Sequence, residues 1–325
     1  MTKIQLPQWL SLSLKTLVSL FALYFVGQRL WNEPRRSWQL LFELNTRDWV
    51  FILLAFGLIF LNFGLEAVKW QRMIAPFYPD VRFWQAFQAV LAGNTTGIFT
   101  PNRVGEYAGR VLFLPEGHRT EAVALTFIDR IGQMLITLWL GTLALGFIML
   151  FHSAKITRLQ EYLPWISLQV VWALAVVGCL LATYLFFFPQ WLLWFVPKLG
   201  NYAALAQVRA AIEVLTPRLQ KQVFVISGLR NFTFTSQYLL LLFAFGFPPS
   251  PLLGYALIWL VYLVKSVIPS VSLSELGIRE SAALAIMTLW GIPAPLIVTA
   301  TLSVYFFNIA FPALVGMIFV YRIKE

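Results

Sequence analysis

The chain has 325 residues, of which 59% are hydrophobic and only 12% are charged, and its mean hydropathy is +0.75. A soluble protein carries about a quarter of charged residues, so the composition excludes an ordinary globular domain and predicts an all-α polytopic membrane protein. The net charge of +10 suits contact with anionic lipid headgroups, whereas nucleic acid is a poor partner for so apolar a chain. The single cysteine, Cys179, excludes an intrachain disulfide.

Six apolar stretches are long enough to cross a bilayer as helices, which takes about 20 residues. Lys15 interrupts the first of them and no cleavage-site pattern follows it, so we interpret this stretch as a span and not as a signal peptide. Tryptophans lie at several of the ends, as in an interfacial aromatic belt. The predicted spans are Trp9–Gln28, Trp49–Trp70, Ala122–Phe151, Trp165–Phe188, Val223–Phe245 and Pro295–Tyr321.

Between the fourth and fifth spans, residues 189–220 mix tryptophan and phenylalanine with lysine and arginine. This mixture predicts an amphipathic segment that lies on the membrane surface.

Two further apolar segments, Phe83–Phe113 and Leu252–Trp290, are too long for one straight span. Proline, glycine and polar residues divide each near its middle, and irregular backbone at membrane depth is tolerated only inside protein or beside a water-filled cavity. We interpret both as re-entrant hairpins of two half-helices. The alternative is two kinked full spans in each, which would give about ten spans in all.

Residues 49–151 and 223–321 each contain a predicted span, then a broken hairpin and then a second span. With hairpins that do not cross, one side of the membrane holds nearly twice as many lysines and arginines as the other, and this asymmetry predicts that both termini are cytoplasmic. The two hairpins are then entered from opposite sides. This arrangement is an inverted repeat, in which transporters place a site near the midplane between broken helices.

Twelve charged residues lie within the apolar segments. Each would cost about 3 kcal/mol at the centre of a lone helix, and the sum exceeds a typical net stability of about 5–15 kcal/mol, so they must be paired, hydrated or close to the interface. Glu66 lies near a span end beside Lys69, where we expect an interfacial pair. The others are Lys15, Arg103, Glu106, Arg110, Asp129, Arg130, Arg230, Lys265, Glu275, Arg279 and Glu280.

Both hairpins carry a proline followed by Glu-x-x-x-Arg. Glu106 with Arg110, and Glu275 with Arg279, can form i,i+4 pairs on one helical face. The pairs can be structural salt bridges, or the arginines can offer a fork of donors to a lipid phosphate. Half-helix N-termini would favour an anion as well. The dyads Asp129–Arg130 and Arg230–Asn231 lie in otherwise apolar spans. Each can either hold helices together within the bundle or line a cavity.

The hairpin sequences NTTGIFTPNRVGEYAGR and IPSVSLSELGIRE resemble the paired signatures of the lysylphosphatidylglycerol synthase transmembrane family, a flippase-like membrane domain. The resemblance covers essentially the whole chain, although Glu275 stands where many relatives have glycine. It implies lipid translocation, and the fused aminoacyl-transferase domain of the family is not expected in this chain. The matching residues are Pro101, Arg103, Gly105, Glu106, Arg110, Pro269, Gly277, Arg279 and Glu280.

The sequence thus predicts a flippase or transporter for an anionic or phosphate-linked lipid. The predicted substrate-binding residues are Arg103, Glu106, Arg110, Asp129, Arg130, Arg230, Glu275, Arg279 and Glu280, and the predicted hinges are Pro101, Gly105, Pro269 and Gly277.

A lipid-modifying enzyme and a membrane subunit of a separate soluble enzyme are the alternatives. Only His118 and His152 are histidines, and no Asp-x-Asp or nucleotide loop occurs, so we expect no catalytic residue, metal or cofactor. The expected substrate is an anionic membrane lipid, and the expected location is the bacterial inner (plasma) membrane. The sequence does not decide whether the chain forms a homo-oligomer.

Overall fold

The protein is helical throughout the part of the chain that the structure, a computed structural model, describes. That part comprises residues 44–98, 100, 103–155, 157, 167–195, 203–247, 250–267 and 274–322. The helices are α1 Thr46–Ile74, α2 Phe83–Ile98, α3 Gly105–Val111, α4 Arg119–Phe151, α5 Leu168–Phe187, α6 Gln190–Phe195, α7 Ala203–Glu213, α8 Pro217–Ala244, α9 Pro251–Val267, α10 Ser274–Met287, α11 Ala294–Tyr305 and α12 Phe311–Arg322, with a 3₁₀ turn at Thr288–Trp290 and a π-helical turn at Phe306–Ala310.

Within the part of the chain that the structure describes, four helical stretches are long and apolar enough to cross a membrane: α1, α4, α5 and the continuous run Ala294–Tyr321. They confirm an integral membrane protein and lie where four of the six spans were predicted. The fifth prediction, Val223–Phe245, falls on the 28-residue helix α8, whose polar residues lower its hydropathy below that of the other four. The first, Trp9–Gln28, lies outside the described residues.

Local sequence signals set the ends of these helices. The backbone N–H of Asn45 donates to Asp48 at 2.9 Å at the start of α1, and the hydroxyl of Thr216 accepts from Leu219 N–H at 3.2 Å ahead of Pro217 in α8. A threonine cap followed by proline at the first helical position is a strong start signal.

Helices α1 and α8 form an antiparallel pair at the centre of the bundle. The rings of Phe51 and Phe243 lie 6.0 Å apart, the amide of Gln237 donates to the carbonyl of Ala55 at 2.8 Å, and Glu66 lies 3.2 Å from Arg230. Residue numbers therefore rise along α1 as they fall along α8. The pair places Asn62, Glu66 and Lys69 of α1 and Gln237 of α8 inside the protein.

The first broken segment is a tight hairpin of α2 and α3, which pack through glycines. A Cβ atom on Gly109 would lie 2.8 Å from the Cα of Gly93, and one on Gly105 would lie 2.4 Å from the carbonyl oxygen of Thr96. The Thr96 hydroxyl donates to the carbonyl of Gly105 at 2.7 Å. Small residues four apart let two helix backbones approach closely in a membrane. Gly105 is such a packing contact in this structure, and its role as a hinge stays a prediction.

The second broken segment consists of α9 and α10, which pack against each other. The helices of both hairpins have 16, 7, 17 and 14 residues, and each is shorter than the about 20 residues of a straight span. These lengths favour half-helices over the alternative of kinked full spans.

The last span of each half packs on the hairpin of the other half. Thr95 in α2 donates to the carbonyl of Ala313 in α12 at 2.9 Å, and a Cβ on Gly316 would lie 2.3 Å from the carbonyl oxygen of Leu91. On the other side, a Cβ on Gly141 in α4 would lie 2.5 Å from the Cβ of Leu263 in α9. The two halves therefore interlock around the α1–α8 pair.

The predicted surface segment at residues 189–220 contains two short helices, α6 and α7, and ends inside α8. Ala211 and Ile212 of α7 and the following Leu215 are buried in a core cluster with Met73 and Leu125. One face of α7 thus packs against protein, which accounts for part of the apolar pattern that predicted a membrane-surface segment.

Candidate functional site

Charged side chains from α1, α3, α4 and α8 meet inside the bundle. The sequence predicted most of them as separate pairs or dyads, and the structure brings them into one network. Its members are Glu66, Lys69, Arg103, Glu106, Arg110, Asp129, Arg130 and Arg230.

Glu66 is the centre of this network. One of its carboxylate oxygens lies 2.5 Å from Arg110 and 3.2 Å from Arg130, and the other lies 3.0 Å from Lys69 and 3.2 Å from Arg230. The Glu66 side chain is 1% exposed. The expected Glu66–Lys69 pair forms and is buried within the protein, and its position at the membrane interface stays a prediction.

Glu106 is the second anionic centre and belongs to the first hairpin. It lies 2.5 Å from Arg110, contacts Arg130 closely, and lies 3.6 Å from Arg103. The predicted i,i+4 pair of Glu106 and Arg110 is therefore formed. Arg110 is completely buried and contacts two carboxylates, and its role in substrate binding stays a prediction.

Asp129 is the third carboxylate of the network and does not line the cavity described below. Its carboxylate lies 3.1 Å from the Lys69 ammonium, and both side chains are fully buried. Lys69 also donates to Gln133 at 3.2 Å. The adjacent Arg130 points away from this pair towards Glu66 and Glu106, so the two members of the Asp129–Arg130 dyad have different partners.

A cavity of about 340 Å³ lies beside the network and between the two halves. The first half contributes Asn94, Arg103, Glu106 and Arg110 from its hairpin, and α8 contributes Arg230 and Asn231. The second hairpin contributes Tyr262, Lys265, Ser266 and Arg279. Both broken segments thus contribute residues to the wall of this cavity.

Arg103 enters the cavity from a strained backbone position. Its φ angle is +57°, which L side chains rarely adopt. Its guanidinium donates to the side-chain oxygen of Asn94, and 29% of the side chain is exposed. This backbone conformation and the Asn94 contact together hold a cation at the cavity wall.

Arg279 reaches the cavity from α10 and is 5% exposed. It donates to the carbonyl of Thr301 at 3.2 Å, and its Cζ lies 5.9 Å from the centre of the Tyr305 ring. Among the residues with described side chains, no carboxylate forms an ion pair with Arg279. Glu280 is buried but does not line the cavity.

Several predicted residues fall outside what the structure describes. Pro101 and Pro269 are outside the described residues, and Glu275 and Gly277 lie in α10 at positions where only the helix is described. The proposed Glu275–Arg279 pair and the four proposed hinges therefore stay predictions.

A chain of buried amides that the sequence did not single out borders the cavity. Asn62 donates to Asn308 at 2.7 Å, and Asn308 donates to Gln237 at 2.7 Å. Asn308 lies in the π-helical turn, whose Ile309 carbonyl accepts from Asn94 at 3.2 Å. Such π-turns occur frequently at functional sites. Here the turn links the centre of the bundle to the hairpin residue that holds Arg103.

The spacing of polar residues in α1 could have indicated that Asn62 and Glu66 belong to the site. Asn62, Glu66 and Lys69 follow one another at i, i+4 and i+7 and so lie on one face of α1. A polar stripe of this kind on an otherwise apolar span indicates a face that is turned to the protein interior.

Within the described residues, no group of three or more histidine, cysteine, aspartate or glutamate side chains is arranged to hold a metal ion. The loop between α1 and α2 contacts the loop between α3 and α4 through Tyr78. The Tyr78 hydroxyl accepts from His118 N–H at 3.0 Å and donates to the Pro115 carbonyl at 3.2 Å. Burial raises the pKa of Tyr78, so the hydroxyl keeps its proton at neutral pH.

Comparison with known proteins gives one finding. The family model described as the lysylphosphatidylglycerol synthase TM region matches residues 12–316. No curated protein matches the chain. The matched range includes both hairpins and every described residue of the charged network.

Proposed function

The chain belongs to the lysylphosphatidylglycerol synthase transmembrane family, and from this premise we propose that it moves an anionic or phosphate-linked lipid between the two leaflets of its membrane. The family connects the protein with lipid modification or transport. The observation that favours transport over lipid modification is the cavity of about 340 Å³, which is lined by cationic side chains from both broken segments.

The physical barrier to lipid crossing is the transfer of a charged headgroup through hydrocarbon. A cavity lined by Arg103, Arg130, Arg230 and Arg279 replaces the headgroup's water with fixed donors while the acyl chains stay in lipid. Glu66 and Glu106 hold three of these arginines and Arg110 in place. Preorganised donors of this kind lower the barrier without any change in the lipid's covalent structure.

The proposal includes an inverted repeat of residues 49–151 and 223–321. Its support is the antiparallel α1–α8 pair and the reciprocal packing of α12 on α2 and of α4 on α9. In such repeats, one half rocks against the other around a fixed central site. The π-turn at Phe306–Ala310 and the proposed hinges Pro101, Pro269 and Gly277 are where we expect the backbone to bend.

The first prediction concerns orientation. In a Cys179→Ala background, cysteines placed at Asp80 and Arg218 should react with an impermeant reagent from the cytoplasmic side. A cysteine at Arg47 should react from the opposite side. The reason is that α1 and α8 cross in opposite directions and that the more basic side is cytoplasmic. Reaction of the Arg47 and Arg218 positions from the same side would contradict the repeat.

The second prediction concerns the reaction. Purified protein in liposomes should change the leaflet position of a labelled anionic phospholipid, while the mass of the lipid stays the same. Leaflet position is measured by quenching of the label with a membrane-impermeant reductant, and lipid mass by mass spectrometry. Protein-free liposomes are the control for leakage. A protein-dependent change in lipid mass would instead make this chain a lipid-modifying enzyme.

A further inference from the structure

The chain of buried amides at the centre of the bundle has a fixed direction. The Nε2 of Gln237 donates to the carbonyl of Ala55 at 2.8 Å, so its Oε1 is the end that accepts from Asn308 at 2.7 Å. The Nδ2 of Asn308 also donates to the carbonyl of Val304 at 3.1 Å. Because a backbone carbonyl can only accept, these two carbonyls determine which end of each amide donates. The Oδ1 of Asn308 is therefore an acceptor, and Asn62 must donate to it.

This direction leaves the side-chain oxygen of Asn62 without a donor. Asn62 lines the cavity and is 2% exposed, and its Oδ1 atom has no hydrogen-bond partner within the described structure. A buried acceptor that stays unpaired is costly, and buried polar groups in proteins are almost always hydrogen-bonded. The Asn62 oxygen therefore needs a donor from a molecule in the cavity.

Gln133 presents the opposite half of a hydrogen bond to the same cavity. Its Oε1 accepts from Lys69 at 3.2 Å and from Arg130 at 3.3 Å. Both partners are cations that can only donate, so the Nε2 of Gln133 is the end that remains. Gln133 is half-buried in the cavity lining, and no residue of the described ranges accepts from its Nε2. The cavity thus has a neutral acceptor on α1 and a neutral donor on α4, both available to a ligand.

A hydroxyl group matches these two amides better than an ammonium group does. A hydroxyl both donates and accepts, whereas an ammonium can only donate and forms its strongest hydrogen bonds with a carboxylate. The carboxylates of the described lining are Glu66 and Glu106, which already contact four and three cationic side chains. The lining therefore favours a headgroup with neutral hydroxyls over one with an amine.

Aromatic rings give the same lining an apolar surface. The rings of Phe234 and Tyr262 lie edge to face with their centres 5.0 Å apart, and Phe63 and Tyr107 line the cavity as well. A sugar or another cyclic polyol has hydroxyls around its edge and C–H groups on its faces, so it matches a wall of amides and rings. Ligand pockets commonly combine aromatic side chains with a few placed polar groups.

We propose that the ligand is a phosphate-linked lipid whose headgroup is a sugar or another cyclic polyol, with hydroxyls that bind Asn62 and Gln133. This inference rests on the proposed function for the statement that the ligand is a lipid and for the arginines that hold its phosphate. The two amides are then specificity-determining residues, since they distinguish headgroups that carry the same charge.

The experiment compares three lipids with the same acyl chains and the same net charge. They are phosphatidylinositol, which has a cyclic polyol; phosphatidylethanol, which has no hydroxyl; and phosphatidylserine, which has an ammonium group. Binding to the purified full chain is measured by native mass spectrometry, and transport by the liposome assay. We expect phosphatidylinositol to bind about tenfold or more tightly than the other two, because two added hydrogen bonds contribute a factor of this order. Soluble inositol 1-phosphate forms a separate arm.

The variants assign the preference to the amides. Asn62→Leu removes the acceptor and should lose most of the preference for phosphatidylinositol over phosphatidylethanol, and Gln133→Leu should lose part of it by removing the donor. The matched control is Gln237→Leu, which breaks the amide chain at a residue that does not line the cavity. It should keep the preference, since Val304 still fixes the direction of Asn308. Melting temperatures report whether each variant is folded.

Three results would overturn the inference. The first is equal binding of phosphatidylinositol and phosphatidylethanol to the wild type, a comparison that does not depend on any variant. The second is tighter binding of phosphatidylserine than of phosphatidylinositol. The third is a folded Asn62→Leu protein with an unchanged preference, or an equal loss of preference in Gln237→Leu.

The remaining outcomes separate this inference from the proposed function. Equal binding of all three lipids, with all three transported, would overturn the inference and leave transport intact. Selective binding of phosphatidylinositol without any transport would support the inference and contradict the proposed function. Binding of inositol 1-phosphate as tight as that of phosphatidylinositol would assign the site to a soluble sugar phosphate or polyol phosphate and overturn the lipid assignment.

Discussion

Replacing Glu66 with glutamine is expected to lower the free energy of unfolding by about 3–5 kcal/mol, the cost of removing one partner from a buried ion pair. Glu66 lies within 3.2 Å of Lys69, Arg110, Arg130 and Arg230. The amide has almost the same shape but no charge, so four cations would lose their common counter-charge. Thermal unfolding of the purified variant in detergent, followed by light scattering, measures the effect.

A matched control is available on α7. Glu213 is half-exposed and pairs with Arg209 at 2.8 Å, and Glu213→Gln should change stability by less than about 1 kcal/mol because water screens an exposed pair. The double variant Glu66→Gln/Arg230→Gln should recover part of the loss, since it removes one of the uncompensated cations. Wild-type stability of the Glu66→Gln single variant would contradict the central role of Glu66.

The large-scale architecture could be predicted because apolar length is visible in the sequence. The predicted spans Ala122–Phe151 and Trp165–Phe188 correspond to the helices Arg119–Phe151 and Leu168–Phe187, whose ends lie within three residues of the predicted ones. The packing contact of Gly105 could not be predicted, since a glycine that bends and a glycine that packs look the same in a sequence. Its contact with Thr96 depends on how α3 folds back on α2.

The charged residues of the site were predicted as separate pairs, whereas in the structure they form one connected network of ion pairs. Local spacing identifies Glu106 and Arg110 as neighbours, but the contacts of both with Glu66 and Arg130 join residues that are far apart in the chain. The burial of Glu66 within the protein was not predicted, since it depends on α4 and α8, which pack against α1 from distant parts of the chain. Such contacts follow from helix packing, which a single sequence does not specify.

The largest functional effect is expected at Arg103. Arg103→Gly should abolish lipid transport in the liposome assay while it keeps or slightly raises the melting temperature. The glycine removes the cation from the cavity wall but accepts the φ of +57° without strain. Arg103→Lys should keep part of the transport, because it retains the charge without the planar fork.

Arg110 is the contrast within the same hairpin. It is fully buried, lies 2.5 Å from both Glu66 and Glu106, and its guanidinium lies 5.9 Å from the Trp70 ring. Arg110→Ala would remove the fully buried cation that Glu66 and Glu106 share and leave Arg130, which is 26% exposed, to bridge them. We expect a loss of folded protein on size-exclusion chromatography. Matching transport loss at the two positions, with both variants equally well folded, would show that Arg110 also contacts the lipid. The expected split, in which only Arg103→Gly stays folded and inactive, would separate the cation that meets the headgroup from the cation that holds the hairpin.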